Sequence, residues 1–149
     1  MYRLFLMVLI PLVLGCQTKD QDLSFEESLS KTWKSVCVAN DDGYFKKDAF
    51  QFGEKFLISE EWYSDANCAL LFQSSAPLEH SYTIGNILTT DEGLETREFD
   101  SLREYGDHFT RETILNIIYI DGNKLYFGIL NDDNTRPSSI DFENVYYRK

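Results

Sequence analysis

A chain of 149 residues with 43% hydrophobic side chains is long enough to bury one core and too short for several domains. Its formal net charge of −11 excludes nucleic acid as a partner, because a phosphate backbone is bound by surplus Lys and Arg. The same charge argues against resting on anionic lipid and favours a soluble, monomeric domain.

Met1, Tyr2 and Arg3 open the chain with one positive charge, and an apolar run follows from Leu4 to Leu14, interrupted by Pro11. That length fits the apolar core of a secretory signal and falls short of the roughly 20 apolar residues that span a bilayer. The run ends Val13-Leu14-Gly15-Cys16, which resembles the bacterial lipobox. An aliphatic residue stands three places before the cysteine and a small one directly before it. Leu14 departs from the commoner Ala, Ser or Thr. The resemblance implies cleavage before Cys16 and acyl chains on that cysteine, two or more of which anchor stably where one holds only marginally. Gln17 stands where Asp retains many lipoproteins in the inner membrane, which implies an outer-membrane address facing the periplasm. The expected organisation is a signal peptide over 1–15, an acylated tether over 16–23 and one domain over 24–149.

With Cys16 lipidated, Cys37 and Cys68 remain as a pair in an oxidising compartment, where a disulfide is the default. Closing that loop contributes about 3 to 4 kcal/mol in the chain-entropy treatment. His80 and His108 share no ligand spacing with these cysteines, so a metal role is the weaker reading.

Ser24-Phe25-Glu26-Glu27 reads as a capping box and predicts a short helical turn. From Trp33 onward the pattern has mostly period two, with turn residues between short runs of aromatic and β-branched side chains. The runs are Trp33 to Val38, Ala49 to Phe52, Lys55 to Trp62, His80 to Thr89, Leu94 to Leu102, Thr113 to Ile120, Lys124 to Leu130, and Ile140 to Arg148. Asp121-Gly122-Asn123 gives the strongest hairpin signal, since Asp-Gly supplies the positive φ of a tight turn. Short loops between eight runs predict an antiparallel meander, because parallel strands need long crossovers. The expected fold is all-β, a small up-and-down barrel closed on itself to remove exposed edges, with a sandwich or half-open curved sheet as the alternative.

Leu29-Ser30-Lys31-Thr32-Trp33 resembles the opening of lipocalins, in which a Trp follows a short helical turn and closes the barrel base. Lys31 replaces the usual Gly. The resemblance implies an Arg from the last strand lying over that Trp, and Arg148 stands in the right place for such a cation–π contact. Trp33-Lys34-Ser35-Val36-Cys37, Phe50-Gln51-Phe52 and Tyr63-Ser64-Asp65-Ala66-Asn67-Cys68 resemble the core of the domain named for a product down-regulated by adenomatosis polyposis coli. That second likeness covers residues 29 to 68. It implies a curved β structure with an apolar lipid pocket and paired cysteines.

Chemistry is harder to find. Asp132, Asn134 and Glu143 fall at positions 1, 3 and 12 of an EF-hand pattern, but Arg136 and Pro137 stand at positions 5 and 6, where the turn needs Gly. Glu60 and Glu61 are adjacent, so on a strand they face opposite ways. A lone histidine such as His80 or His108 is more often a surface residue than an acid or base. No nucleophile elbow, zinc-protease or phosphate-loop motif is present.

The expectation is therefore a non-enzymatic, membrane-anchored barrel without cofactor or metal that binds a small apolar or lipid-like molecule. The alternative is a structural or protein-interaction lipoprotein with a filled barrel. Strand alternation nominates Phe50, Phe52, Phe56, Ile58, Tyr82, Ile84, Leu125, Phe127 and Ile129 as lining residues, with the mouth at the end away from Trp33.

Overall fold

In a computed structural model of the chain, which describes residues 24–105 and 110–149, Ser24 is a helix N-cap. Its hydroxyl accepts from the Glu27 amide at 3.2 Å, and the Glu27 carboxylate accepts from the Ser24 amide at 3.0 Å. The expected capping box is formed. It opens α1 (Phe25–Leu29), a helix of five residues whose Phe25 and Leu29, four apart, share the face that meets the sheet.

Among the described residues ten strands follow: β1 (Thr32–Ser35), β2 (Val38–Ala39), β3 (Phe45–Phe52), β4 (Phe56–Tyr63), β5 (Leu71–Ser74), β6 (Leu78–Thr89), β7 (Glu95–Tyr105), β8 (Thr110–Asp121), β9 (Lys124–Phe127) and β10 (Tyr146–Arg148). Every pairing is antiparallel, and eight strands form a closed ring in the order β1, β3, β4, β6, β7, β8, β9, β10 and back to β1. Closure rests on Trp33, which lies opposite Phe50 on one side and Arg148 on the other. The fold is the closed up-and-down barrel that the eight runs predict.

β2 and β5 are extensions rather than staves. β2 continues the line of β1 after a break at Val36 and Cys37, and pairs with the start of β3. β5 pairs with the end of β4, and the chain then passes through Pro77 before β6 pairs lower on the same strand. Proline has no amide to donate to a ladder, so the break falls there. Cys37 and Cys68 join in a disulfide with Cα atoms 5.8 Å apart, tying the first break to the turn between β4 and β5.

The main differences from the sequence reading lie in three elements, while β9 also ends at Phe127 rather than Leu130 and β8 begins at Thr110 rather than Thr113. β3 begins at Phe45, not Ala49, because the charged run Lys46-Lys47-Asp48 continues the ladder opposite Glu60 to Trp62. β5 has no counterpart among the expected runs; its four residues are all exposed. The final run is a strand only from Tyr146, with Ile140 making an isolated bridge to Gly128.

Alternation divides the apolar side chains between two clusters. The inner one gathers Leu29, Trp33, Phe52, Phe56, Phe99, Ile118 and Leu125, with Phe25, Phe50, Ile58, Tyr82, Ile84, Ile120, Phe127 and Tyr146 against them. The outer one, Ile117, Tyr126 and Ile140, lies on the opposite face of β8 and β9, with Leu88, Leu94, Tyr119 and Val145 packed around it. The segment 128–145 supplies Ile140 and Val145 to this outer cluster. Gly128 permits the close approach, since a Cβ there would sit 2.7 Å from both Ile117 and Pro137. The same segment sends Arg136 to Glu98 and Asp100, at 3.4 and 2.7 Å.

Candidate functional site

The barrel interior changes character along its axis. β3 presents Phe52, Phe50, Asp48 and Lys46 in turn on one face, and β4 presents Phe56, Ile58, Glu60 and Trp62 opposite them. The end that holds Trp33 is therefore apolar and the other end charged.

At the Trp33 end α1 acts as a plug. The indole is fully buried, and its N–H donates to the Leu29 carbonyl at 3.2 Å, satisfying one of the carbonyls that a helix C-terminus leaves open. Tyr82 anchors the adjacent hairpin by donating its hydroxyl to the Gly53 carbonyl at 2.9 Å. Between α1 and the strands lies an open cleft of about 400 Å³, walled by Phe25, Leu29, Phe52, Tyr82, Ile84 and Arg97. A smaller cleft of about 190 Å³ lies on the other side of Phe25 and Arg97. The Arg97 guanidinium stands 5.6 Å from the Phe25 ring centre, within cation–π range.

The middle of the barrel is aromatic. Phe50 lies 4.6 Å from Tyr146 and 5.5 Å from both Phe56 and Phe127, and Phe99 joins Phe52, Phe56 and Phe127 at 5.9, 5.2 and 5.6 Å between ring centres. These tilted and edge-on contacts occupy the centre with side chains. His80 belongs to this layer. Paired in register with Phe56, it is buried, and its Nδ1 has no hydrogen-bond partner. Burial pushes its pKa down, the Arg103 charge adds to that, and a bond to the Leu102 backbone partly opposes it. The expectation of a surface histidine is thus corrected: β6 starts at Leu78, which puts His80 on the inward parity with Tyr82 and Ile84.

At the far end Lys46 bridges two carboxylates, 2.9 Å from Glu60 and 3.2 Å from Asp48. The Glu60 bond, helped by Asp48 and opposed by burial, raises the Lys46 pKa. Tyr146 stands above the aromatic layer, its phenol pushed up by burial and by the charges of Asp48 and Asp141. Glu61 faces outward, away from Glu60, and takes Lys34 at 2.6 Å and the Tyr63 hydroxyl at 2.6 Å. Burial works against the Glu61 carboxylate, but the Lys34 and Tyr63 bonds prevail and hold it below its ordinary value. Burial and the same carboxylate push Tyr63 up to about 12.

Of the nominated lining residues, Phe50, Phe52, Phe56, Ile58, Tyr82, Ile84, Leu125 and Phe127 all join the inner cluster. Ile129 does not: β9 ends at Phe127, the chain turns outward at Gly128, and Ile129 is 55% exposed. Trp33 and Arg148 are cross-strand neighbours as expected, but the cation–π pairs among the described residues are Lys47 over Tyr63 and Arg97 over Phe25. Cys16 and His108 lie outside the described residues. Asp132, Asn134 and Glu143 are exposed, and among the described residues no three His, Cys, Asp or Glu side chains gather as a metal site.

Sequence reasoning missed Phe25, Leu29 and Arg97. The first two follow from the capping box once α1 is given an inward face; Arg97, between Thr96 and Glu98, carries no sequence signal of its position. No family model, no curated protein and no solved structure matches the chain, so the two family resemblances stand on the residues quoted for them.

Proposed function

We propose that this chain is an acyl-anchored protein of the bacterial cell envelope that performs no catalysis and binds a small apolar or lipid-like molecule. The observation that carries the reading is the open apolar cleft against the barrel's aromatic interior, whose volume lies within the roughly 300 to 1,000 Å³ of small-molecule sites. The lipobox-like run ending at Cys16 supports the anchor, and Gln17 after it the outer-membrane address. Native mass spectrometry of protein purified from its own host should find a co-purifying ligand, and a fluorescent fatty acid titrated into delipidated protein should bind saturably. A clean apo mass together with a linear, non-saturating titration would end the reading.

One observation favours a second reading, a structural or protein-interaction lipoprotein. Leu70, Leu71 and Phe72 are 64%, 58% and 60% exposed at β5, a strand that pairs among the described residues only with β4. Exposed apolar groups beside an unpaired edge suit a protein contact.

A further inference from the structure

We propose that the cleft under α1 binds a single-chain amphiphile with an anionic head, which pairs with Arg97 while the chain lies against Phe25, Leu29, Phe52 and Ile84. The inference rests on the ligand-binding reading above, names its ligand class, and puts the mouth at the Trp33 end under α1 in place of the opposite end expected from the sequence, which Lys46, Asp48 and Glu60 occupy.

Arg97 lies on β7 two residues from Phe99, on the inward parity, opposite Ile118 and Ile87. It is half-buried, with Phe25, Phe52 and Ile84 in the cleft on one side and Phe25, Ile87, Ile118 and the exposed Glu95 in the smaller cleft on the other. Among the described residues it forms no ion pair, whereas Arg136 on the outer face meets Glu98 and Asp100, and Lys34 and Lys46 have their own carboxylates. A guanidinium withdrawn from water is costly unless paired. The Phe25 ring satisfies it in part, since a cation–π contact is worth about 0.5 to 2 kcal/mol. A carboxylate or phosphate oxygen would satisfy it more fully, and the guanidinium fork is suited to either.

The wall of the cleft is irregular at this point. β6 carries an irregularity between Ile84 and Ile87, and the Glu98 carboxylate fixes it by accepting both the backbone and the side-chain N–H of Asn86, at 2.9 and 3.1 Å. Bulges of this kind re-aim side chains beside sites. Glu26 at the rim is exposed, so water screens its charge from the head group. The far end of the barrel offers the opposite chemistry, with two carboxylates already bound to Lys46.

The test displaces cis-parinaric acid from delipidated protein with palmitate or with hexadecanol, which differ in the head group alone. Palmitate should compete about tenfold or more better, as a charge-assisted hydrogen bond implies. Arg97→Gln should weaken the probe, itself a carboxylate, by a similar factor, abolish that preference, and leave the hexadecanol dissociation constant unchanged once the probe's own is taken into account, while Arg97→Lys should retain most of the preference. Ser30→Trp, at the exposed rim, should weaken both competitors. Thermal denaturation of each variant separates lost folding from lost binding. Saturable binding with no head-group preference in the unmodified protein, or a preference that survives Arg97→Gln, overturns this site while leaving ligand binding intact. No saturable binding overturns the broader reading and this one with it.

Discussion

The two ends of the barrel are built from the same strands by opposite means. At the base, Trp33, Phe52, Phe56 and Leu29 exclude water by contact, and one hydrogen bond from the indole to the Leu29 carbonyl completes the seal. At the far end, Lys46 holds Asp48 and Glu60 together, and a disulfide ties down the two interrupted strands. Apolar closure is strong at any pH and depends on shape. Polar closure depends on every charge finding its partner and is weakened by water, because partly exposed ion pairs contribute little. The stability of the barrel should therefore reside in the base.

The largest effect that would break this comparison is at Trp33. Trp33→Ala should cost about 3 to 5 kcal/mol, as for other large aromatic truncations in cores, read as a lower urea midpoint. A loss below about 1 kcal/mol would mean that α1 and Trp33 are not the seal. The paired change Cys37→Ser with Cys68→Ser should cost about 2 to 4 kcal/mol. Because the bond lies at the far end, hydrogen exchange should increase first in β2 and β5 and leave β7 and β8 protected.

Lys46→Met sharpens the contrast. It leaves Asp48 and Glu60 as unbridged like charges and should cost about 1 kcal/mol at neutral pH, discounted for their partial exposure. Because the Lys46 pKa is raised, its contribution is present below the ordinary 10.5 and is lost as the pH rises through the folded value, so the loss should shrink in strong alkali. An equal cost at neutral and alkaline pH would show that the lysine acts through its methylenes.

The smallest effect is at His80. Its folded pKa lies below its ordinary 6.5, so the unfolded chain binds the proton more readily. Its contribution to stability is complete above about 6.5 and is lost as the pH drops through 6.5 toward the lower folded value. His80→Leu should remove that part of the dependence in melting curves taken across the window. Identical slopes in both proteins would place the dependence elsewhere.

How much of this was legible in the sequence follows from how each residue meets its surroundings. The eight staves were visible because one face of each is apolar, and the β8–β9 turn because Gly122 adopts the positive φ of 59° that Asp-Gly announces. The first half of β3 was hidden because inward charges at Lys46 and Asp48 erase the alternation. β5 was hidden because its apolar residues face solvent. The position of Arg97 depends on the register of β7 against β6 and β8, which is a property of the closed ring and not of any local pattern.

Closure has a mechanical consequence. The ring closes between its first and last staves: Arg148 pairs with Trp33, and the Lys149 amide donates to the Thr32 carbonyl at 2.9 Å. The start of β1 and the end of β10 thus lie together at the base, so a pull between Thr32 and Lys149 opens β1 from β10 one rung at a time, as a zipper parts, and never loads several rungs in shear. The ring has its weakest seam where β1 and β10 meet at the base.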